Sequence, residues 1–469
     1  MKLNANFLDR ALNLMIKHNL KKGYDIRLAG SSEKTLVPAE KPPRLAMQPP
    51  DFPGIKPKLD VEVGAKVKIG TPLFHDKQFP EVKFLSPASG QVVEINRGDR
   101  RAIMEVVVED DGNDEYEFFA AHTEGQLGAL SRDEIIMKLQ EGGLWPYLRQ
   151  RPFSRIARAS ANPRDIFINA MDTAPLAPDM NFLLQEQEED FQTGVTILSK
   201  LTEGSVYLSV SGNAGTTAPA FEKAAGVELH AFKGPHPAGN TSVHIYHIRP
   251  MKVGDVVWYI SAPHVALIGK FFREGRYPIE RIIAVCGSSL TAEARKYYRT
   301  RVGTAVDTLI PKASIKDEDV FFISGNVLRG REIKHSGFVG FYDYQVTAIP
   351  DSNERVLFGW LTPGLQEESY SRTFLSNLFP RKEYVKDNRL HGGKRAFFQT
   401  GEYEKMLPMD IYPLHLVKSI MAEEIEDMIG LGLLEVDEED FALCTYICPS
   451  KIDFGEHIRK GLDILEKEG

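Results

Sequence analysis

The middle of the chain alternates short apolar runs with residues at helical spacing. The runs at 166–170 and 206–210 are each five residues long and bounded by turn-forming residues. Between them lie four apolar residues at offsets of four, three and three: Phe191, Val195, Leu198 and Leu201. Short apolar runs of this kind are typical of buried parallel strands, and the spacing between them predicts a crossover helix. The pattern therefore predicts a right-handed βαβ unit within a Rossmann-like α/β domain.

An all-β pattern precedes this domain at 53–98, where short β-prone runs are separated by glycines and prolines. The order of its valines, glycines and Ser-Pro resembles the biotinyl and lipoyl carrier domains, which implies a barrel-sandwich module. Lys77 would then be the lipoylated residue of a carrier. It lies only seven residues beyond Gly70, which truncates the hairpin that would present the lysine. An unmodified scaffold is therefore the preferred interpretation, and a lipoylated carrier is an alternative.

Other elements follow from periodicity. The order strand, strand, helix, strand over 281–324 predicts a small β-grasp unit, and two apolar stripes in the last hundred residues predict a helical domain. The first stripe consists of Leu414, Val417, Met421, Ile425 and Met428. Residues 6–17 have one apolar helical face and predict an amphipathic N-terminal extension. The predicted α+β multidomain chain divides at 1–20, 21–118, 119–278, 279–364 and 365–469.

Composition narrows the class of protein. Three cysteines in 469 residues indicate a reducing compartment without a disulfide framework. The net charge is −8, and no basic face with interleaved aromatics indicates nucleic-acid binding. No segment reaches the ~18 consecutive apolar residues of a membrane span. The nearest, at 256–269, is interrupted by Ser261, Pro263 and His264.

Two cofactor motifs are incomplete. A phosphate cradle needs glycines at a strand-to-helix turn, whereas Met171, Asp172 and two prolines follow the strand at 166–170. Cys444 and Cys448 form C-x3-C-P, the end of a four-cysteine ferredoxin run. Counting back by that run's spacing gives Phe441 and Glu438 at the positions of the two missing cysteines. The motif is therefore interpreted as a remnant, and no catalytic, cofactor-binding or metal-binding residue is predicted.

Three histidines raise a further possibility, a metal site. His236, His244 and His247 lie close together in sequence, but only a helix would let the last two share an ion. Capping and packing roles are favoured, because neither a nearby cysteine nor an H-x-x-x-H pair supports zinc.

Short motifs in register along the chain resemble one family. They are KGYDI at 22–26, SPASG at 86–90, INRG at 95–98, RPFS at 151–154, NAMD at 169–172, GPHPAG at 234–239 and the segment 442–450. With the order of the domains, they resemble the NqrA subunit of the bacterial sodium-translocating NADH:quinone oxidoreductase from about Met15 onward. In this family the β-grasp unit is SLBB-like.

The resemblance implies a peripheral subunit on the cytoplasmic face of the inner membrane, within a six-subunit enzyme. FAD, FMN, riboflavin and a [2Fe-2S] cluster are expected in partner subunits, with ubiquinone as the substrate reduced and sodium exported. Contact with the membrane is expected through those five partners, chiefly the membrane subunit NqrB.

Related flavoproteins carry a glycine-rich flavin loop where this chain has bulky residues at 142–148. Trp145, Tyr147, Phe153 and His236 are the candidates for contact with quinone or a partner. The alternative function is a stand-alone oxidoreductase that binds flavin and NADH.

Overall fold

The computed structural model describes residues 15–213, 217–352, 361–391, 393–398 and 400–468. The strands in this part of the chain are β1 Ile16–Asn19, β2 Leu36–Pro38, β3 Arg44–Met47, β4 Pro57–Leu59, β5 Lys66–Val67, β6 Pro72–Asp76, β7 Lys83–Leu85, β8 Gly90–Arg97, β9 Ile103–Asp110, β10 Arg149–Arg151, β11 Arg155–Ile156, β12 Ile166–Ala170, β13 Val206–Ser211, β14 Glu228–Lys233, β15 Val257–Ser261, β16 Glu280–Cys286, β17 Tyr297–Arg301, β18 Val320–Ser324, β19 Arg331–Ile333 and β20 Gln345–Pro350.

The α-helices are α1 Glu124–Ala129, α2 Arg132–Glu141, α3 Met180–Leu183, α4 Glu188–Ser199, α5 Pro219–Glu222, α6 Thr241–Ile248, α7 Ala262–Glu274, α8 Val306–Leu309, α9 Pro413–Ala422, α10 Ile425–Gly430, α11 Ala442–Ile447 and α12 Phe454–Glu468. Short 3-10 turns connect several of them.

The N-terminal β module contains a four-stranded sheet, β3-β9-β8-β5, and a three-stranded sheet, β4-β6-β7. Its core is aromatic, with the rings of Phe74 and Phe84 stacked at 4.6 Å and that of Phe52 4.3 Å from Phe84. Lys77 is exposed directly after β6, and its backbone N–H donates to the Lys56 carbonyl at 2.8 Å.

The central sheet has seven strands in the order β1-β14-β13-β12-β15-β10-β11, of which the first five run parallel. The predicted strand at 166–170 and the predicted strand at 206–210 are confirmed as β12 and β13. Helix α4 between them packs closely on α7, because glycines lie at the crossing. A Cβ on Gly269 would lie 1.8 Å from the Asp190 carbonyl oxygen, and one on Gly194 would lie 2.0 Å from that of Val265.

The predicted N-terminal helix is wrong where it can be compared. Ile16 and Lys17 belong to β1, which pairs in parallel with β14 and aligns Ile16 with His230. The apolar spacing around them fits a helix locally, but the unpaired edge of β14 offers a ladder of hydrogen bonds that a local pattern does not reveal. Residues 1–14 of that prediction lie outside the described residues.

The third sheet has six strands in the order β19-β18-β20-β16-β17-β2. The predicted order strand, strand, helix, strand over 281–324 is confirmed by β16, β17, α8 and β18. Strand β2 comes from the N-terminal part of the chain and pairs in parallel with β17. This pairing therefore joins the third sheet to the N-terminal part of the chain.

Helices α9 to α12 form the end of the chain around a buried core that includes Val417, Ile420, Ile458 and Leu462. The predicted apolar stripe is interrupted, because α9 ends at Glu423, whose φ is 59°, and Met421 is 52% exposed. Within the described ranges, no helix has the length and apolar character needed to cross a membrane.

Candidate functional site

A cavity of about 280 Å³ opens at the carboxyl ends of β12 and β15. Met171 follows β12 and Ser261 ends β15, and both line it. The opposite walls come from the third sheet, at Tyr344, and from the 3-10 turn Glu438–Phe441. Ligands of open α/β sheets bind outside the carboxyl ends of the parallel strands, so this position is the one that the fold favours for a site.

Three buried polar groups that line the cavity have no hydrogen-bond partner in the described protein. They are Nε2 of His264 and the hydroxyls of Tyr259 and Tyr344, whose residues are 3%, 8% and 9% exposed. The rings of His264 and Tyr344 are neighbours, with centroids 5.2 Å apart. A buried polar group left unsatisfied costs ~1–3 kcal/mol, so these atoms mark where a polar partner binds most favourably.

His264 is held in place on both sides of its ring. Its Nδ1 lies 2.9 Å from Oγ of Ser261, and its ring stacks on Tyr147 with centroids 4.2 Å apart. Burial lowers the pKa of His264 well below 6.5, and the positive charges of Arg281 and Arg149 lower it further. The imidazole is therefore neutral near pH 7. Burial also raises the pKa of Tyr344, so the phenol stays protonated.

The charged groups that line the cavity are predominantly acidic. The basic groups are those of Arg149 and Arg329. The acidic groups are those of Asp172, Asp343, Asp437, Glu438 and Glu439. Both guanidinium groups are occupied: Arg329 pairs with Glu439, and Arg149 donates to the Ser154 carbonyl at 2.9 Å. The site therefore suits a neutral polar ligand better than an anion.

The α/β domain and the C-terminal helices meet beside the cavity through buried charges. Arg151 Nη1 lies 3.1 Å from Oδ2 of Asp437, and the two residues are 2% and 5% exposed. The same carboxylate accepts a hydrogen bond from the hydroxyl of Ser154 at 2.6 Å and caps the turn that begins at Glu438. Burial opposes ionisation of Asp437, but Arg151 and Arg149 outweigh it and lower its pKa.

The structure brings two of the four predicted contact residues to the cavity. Tyr147 and His236 line it, and Nδ1 of His236 lies 3.1 Å from Oγ1 of Thr173. Trp145 is fully buried elsewhere and donates from Nε1 to the Ala157 carbonyl at 2.7 Å. Phe153 packs against the core of the C-terminal helices. Their role in quinone or partner contact stays a prediction.

Sequence reasoning missed His264 and Tyr344. A signal for His264 was present, because Ser261 and His264 interrupt an apolar run that is otherwise typical of a core. Polar side chains in such a run need partners or a site. Tyr344 has no comparable signal, since it reaches the cavity from a separate sheet.

The segment 142–148 is tightly packed. A Cβ on Gly142 would lie 2.2 Å from the ring of Phe271. Gly143 has a φ of 65°, and a Cβ there would lie 2.5 Å from Leu85. The chain then enters the 3-10 turn Trp145–Tyr147, whose three residues are buried. The side chains of Trp145 and Tyr147 are therefore enclosed by the core.

The cysteine motif lies in the C-terminal core. Cys444 and Cys448 are buried and free, and Sγ of Cys448 lies 3.2 Å from the hydroxyl of Tyr403. Phe441, at one of the missing ligand positions, is fully buried and stacks on Phe454. A search of the described ranges finds no group of three His, Cys, Asp or Glu side chains placed to hold a metal ion.

Two of the candidate metal-binding histidines contact backbone carbonyls. His244 and His247 both lie on α6, where Nε2 of His244 is 2.9 Å from the Ala238 carbonyl and Nε2 of His247 is 2.7 Å from that of Pro408. The second contact joins the α/β domain to the segment before α9.

Comparisons with known proteins agree with this arrangement. Family models match residues 18–111 as the NqrA N-terminal barrel-sandwich hybrid domain, 130–277 as the NqrA second alpha/beta domain and 282–335 as the NQRA C-terminal domain. A solved NAD+-reducing [NiFe]-hydrogenase aligns with 74% of this chain and 65% of its own at 11% identity, with a TM-score of 0.38, too low to establish a shared fold.

Curated relatives match almost the whole chain, and each is named as the NqrA subunit of a Na(+)-translocating NADH-quinone reductase. The protein of Neisseria meningitidis serogroup B is 38% identical over 456 residues, covering 97% of this chain and 100% of its own. That of Pasteurella multocida is 37% identical over 453 residues, covering 96% and 99%. That of Yersinia pseudotuberculosis serotype I is 37% identical over 458 residues, covering 97% and 100%. This chain therefore belongs to the NqrA family of subunits of the Na(+)-translocating NADH-quinone reductase.

Proposed function

We propose that this chain acts as the peripheral NqrA subunit of a six-subunit sodium-translocating NADH:ubiquinone reductase. The observation that carries the proposal is the match to relatives of that name over 97% of this chain and 100% of theirs. In this proposal the subunit lies on the cytoplasmic face of the inner membrane and reaches the membrane through its five partners, chiefly NqrB.

We infer that the electron-carrying cofactors belong to the partners: FAD, FMN, riboflavin and a [2Fe-2S] cluster. The central sheet is then a Rossmann-like domain without its phosphate loop, and the C-terminal helices are a domain that once held a cluster. Support comes from the buried Trp145 and Tyr147 in the segment 142–148 and from Phe441 beside Cys444 and Cys448.

We infer further that the cavity lies near the quinone site. A quinone headgroup is neutral and planar and accepts hydrogen bonds at two carbonyl oxygens. Tyr344 can donate one bond from its hydroxyl, and His264 can donate another in the tautomer that carries the proton on Nε2. Tyr147 and His236 would border the ring.

Affinity purification from solubilised membranes tests the function. The tagged chain is expected to bring down the five other subunits, and its own visible absorption after dissociation from them is expected to show neither flavin nor iron–sulfur. Recovery of the chain alone with stoichiometric flavin would instead support the stand-alone oxidoreductase.

A titration with a short-chain ubiquinone tests the cavity. Replacing Tyr344 by Phe or His264 by Leu removes one donor each and is expected to weaken binding about tenfold, as the loss of one buried hydrogen bond does. Replacing the exposed Glu188 by Gln serves as the control and should change nothing. Equal affinity in all four proteins would contradict the placement.

A further inference from the structure

One stretch of the protein is rich in exposed large apolar side chains. Of the 17 that are exposed among the described residues, eight lie in residues 361–398: Leu361, Leu365, Leu375, Leu378, Phe379, Val385, Leu390 and Phe398. The most exposed of these eight are Leu378, at 68%, and Phe379, at 77%. Clustered exposed apolar side chains are typical of interaction surfaces, so this segment is a candidate for one.

The base of the segment is fixed to the rest of the protein. Arg27 Nε donates to Oε1 of Glu368 at 2.7 Å. The backbone N–H of Tyr384 donates to the Arg27 carbonyl at 2.8 Å, and the Tyr384 carbonyl accepts from the N–H of Ala29 at 2.9 Å. The guanidinium of Arg27 also lies over the ring of Tyr384. Contacts with Arg27 and Ala29 therefore fix the segment that contains the exposed residues to the rest of the protein.

The most prominent part of the segment is held in a defined shape. The 3-10 turn Leu375–Asn377 directs Leu375, Leu378 and Phe379 outward, and we call these three residues the apolar ridge. The backbone N–H of Leu375 donates to the Pro363 carbonyl at 2.9 Å, and the backbone N–H of Phe379 donates to that of Ser376 at 3.1 Å. The ridge is thus presented to solvent by hydrogen-bonded backbone.

The charge of the segment is opposite to that of the protein. Residues 361–398 carry seven Lys and Arg against four Asp and Glu, whereas the whole chain has a net charge of −8. Residues 369–382, which include the ridge, contain no acidic residue but contain Arg372, Arg381 and Lys382, all exposed. An occupant of this surface must therefore supply both apolar and negatively charged groups.

A concave feature lies beside the ridge. A cavity of about 360 Å³ is lined by aromatic and charged side chains, among them Tyr370, Arg372 and Glu368, and Asn377 and Pro380 form part of its wall. A ridge next to a pocket is shaped to interlock with the side chains of a folded partner.

We propose that the described residues of this segment, 361–391 and 393–398, are the docking surface for another subunit of the same complex, which places apolar side chains on the ridge and Asp or Glu beside Arg381 and Lys382. The inference rests on the proposed function, because it requires partner subunits. A lipid bilayer or a second copy of this chain would be a different occupant, and the test separates them.

The test is purification of the tagged chain from membranes that contain all the other subunits. L378S/F379S and R381E/K382E are compared with the wild type and with two controls, V253S, which removes an equally exposed apolar side chain, and the charge reversal K312E/K316E. Loss of two apolar anchors is expected to reduce the partners recovered per chain at least tenfold. R381E/K382E is also expected to reduce the recovery of the partners, and the reduction should be larger at low salt.

The outcomes are distinct. If the docking variants retain their partners as the controls do, the proposed surface is wrong. If the wild type itself recovers no other subunit, the proposed function fails. If the docking variants lose their thermal transition, a photo-crosslinking residue is placed at position 379 in the otherwise unchanged complex. A crosslink to another subunit supports the proposal. Crosslinks only to lipid or to a second copy of this chain, or no crosslink at all, overturn it.

Discussion

Replacing Asp437 by Asn is expected to destabilise the protein by removing the nearest counter-charge of the buried Arg151. Asparagine remains a good N-cap and can still accept from Ser154, so the change removes mainly the charge. Breaking a buried ion pair costs ~3–5 kcal/mol. We expect about 3 kcal/mol, near the lower end of that range, because Arg151 keeps Glu439 at 3.9 Å and the ring of Tyr259 at 4.9 Å.

The assay is thermal unfolding of the purified chain, followed by calorimetry. For a cooperative unit of ~150–250 residues, about 3 kcal/mol corresponds to a fall of ~6–12 °C in Tm. The control E188Q disrupts an exposed pair with Lys223 and should cost under about 1 kcal/mol. The double variant R151M/D437N removes the buried cation as well and should recover much of the loss. A D437N variant as stable as E188Q, or a double variant no better than D437N, would refute the reasoning.

The same pair predicts a dependence on pH. Arg151 and Arg149 hold the pKa of Asp437 below its ordinary 3.8, against the opposing effect of burial. The unfolded chain therefore binds this proton more readily than the folded protein does, so the stabilisation is complete above about pH 4 and declines as the pH falls below that value. The amide that D437N introduces does not titrate. The difference in Tm between wild type and D437N should shrink on acidification, and a constant difference would contradict the assignment.

Three further outcomes are expected. Gly142→Ala should lower Tm because its Cβ meets the ring of Phe271 at 2.2 Å, whereas Gly125→Ala, with nothing within 4 Å of the new Cβ, should not. The thiols should react with a disulfide reagent only on unfolding, since all three cysteines are buried and burial raises the pKa of Cys444; rapid labelling of the native protein would contradict this. Intact mass should equal that of the unmodified chain, and a lipoyl-sized increment at Lys77 would support the carrier alternative instead.

Buried parallel strands were predictable because their signal is local. The run at 166–170 is apolar and flanked by turn-formers, and its strand is buried on both faces of the sheet, so nothing distant alters the assignment. Ile16 shows the opposite case. Its neighbours have helical spacing, but the hydrogen bonds that decide its conformation come from β14, more than 200 residues away.

The site could be predicted only in part for a related reason. His236 was found because it lies in a motif that resembles a family, and Tyr147 because bulky residues replace the glycine-rich loop of related proteins at 142–148. The cavity, however, is assembled from three parts of the chain. Tyr344 enters from the third sheet, and no spacing in the sequence shows that it faces His264. Such convergence depends on packing between units, which periodicity within one unit does not encode.

The charges around the cavity disfavour a ligand that carries a phosphate group. A nucleotide or flavin mononucleotide brings at least one phosphate, and a site for it needs backbone N–H groups or free cations. Here the strand-to-helix turn after β12 offers prolines, both lining guanidinium groups are already occupied, and five carboxylates face the same space. Those carboxylates would repel a phosphate. The groups left without a partner, His264, Tyr259 and Tyr344, are neutral, and a neutral headgroup that accepts hydrogen bonds, as proposed, would satisfy them without bringing further charge into a buried site.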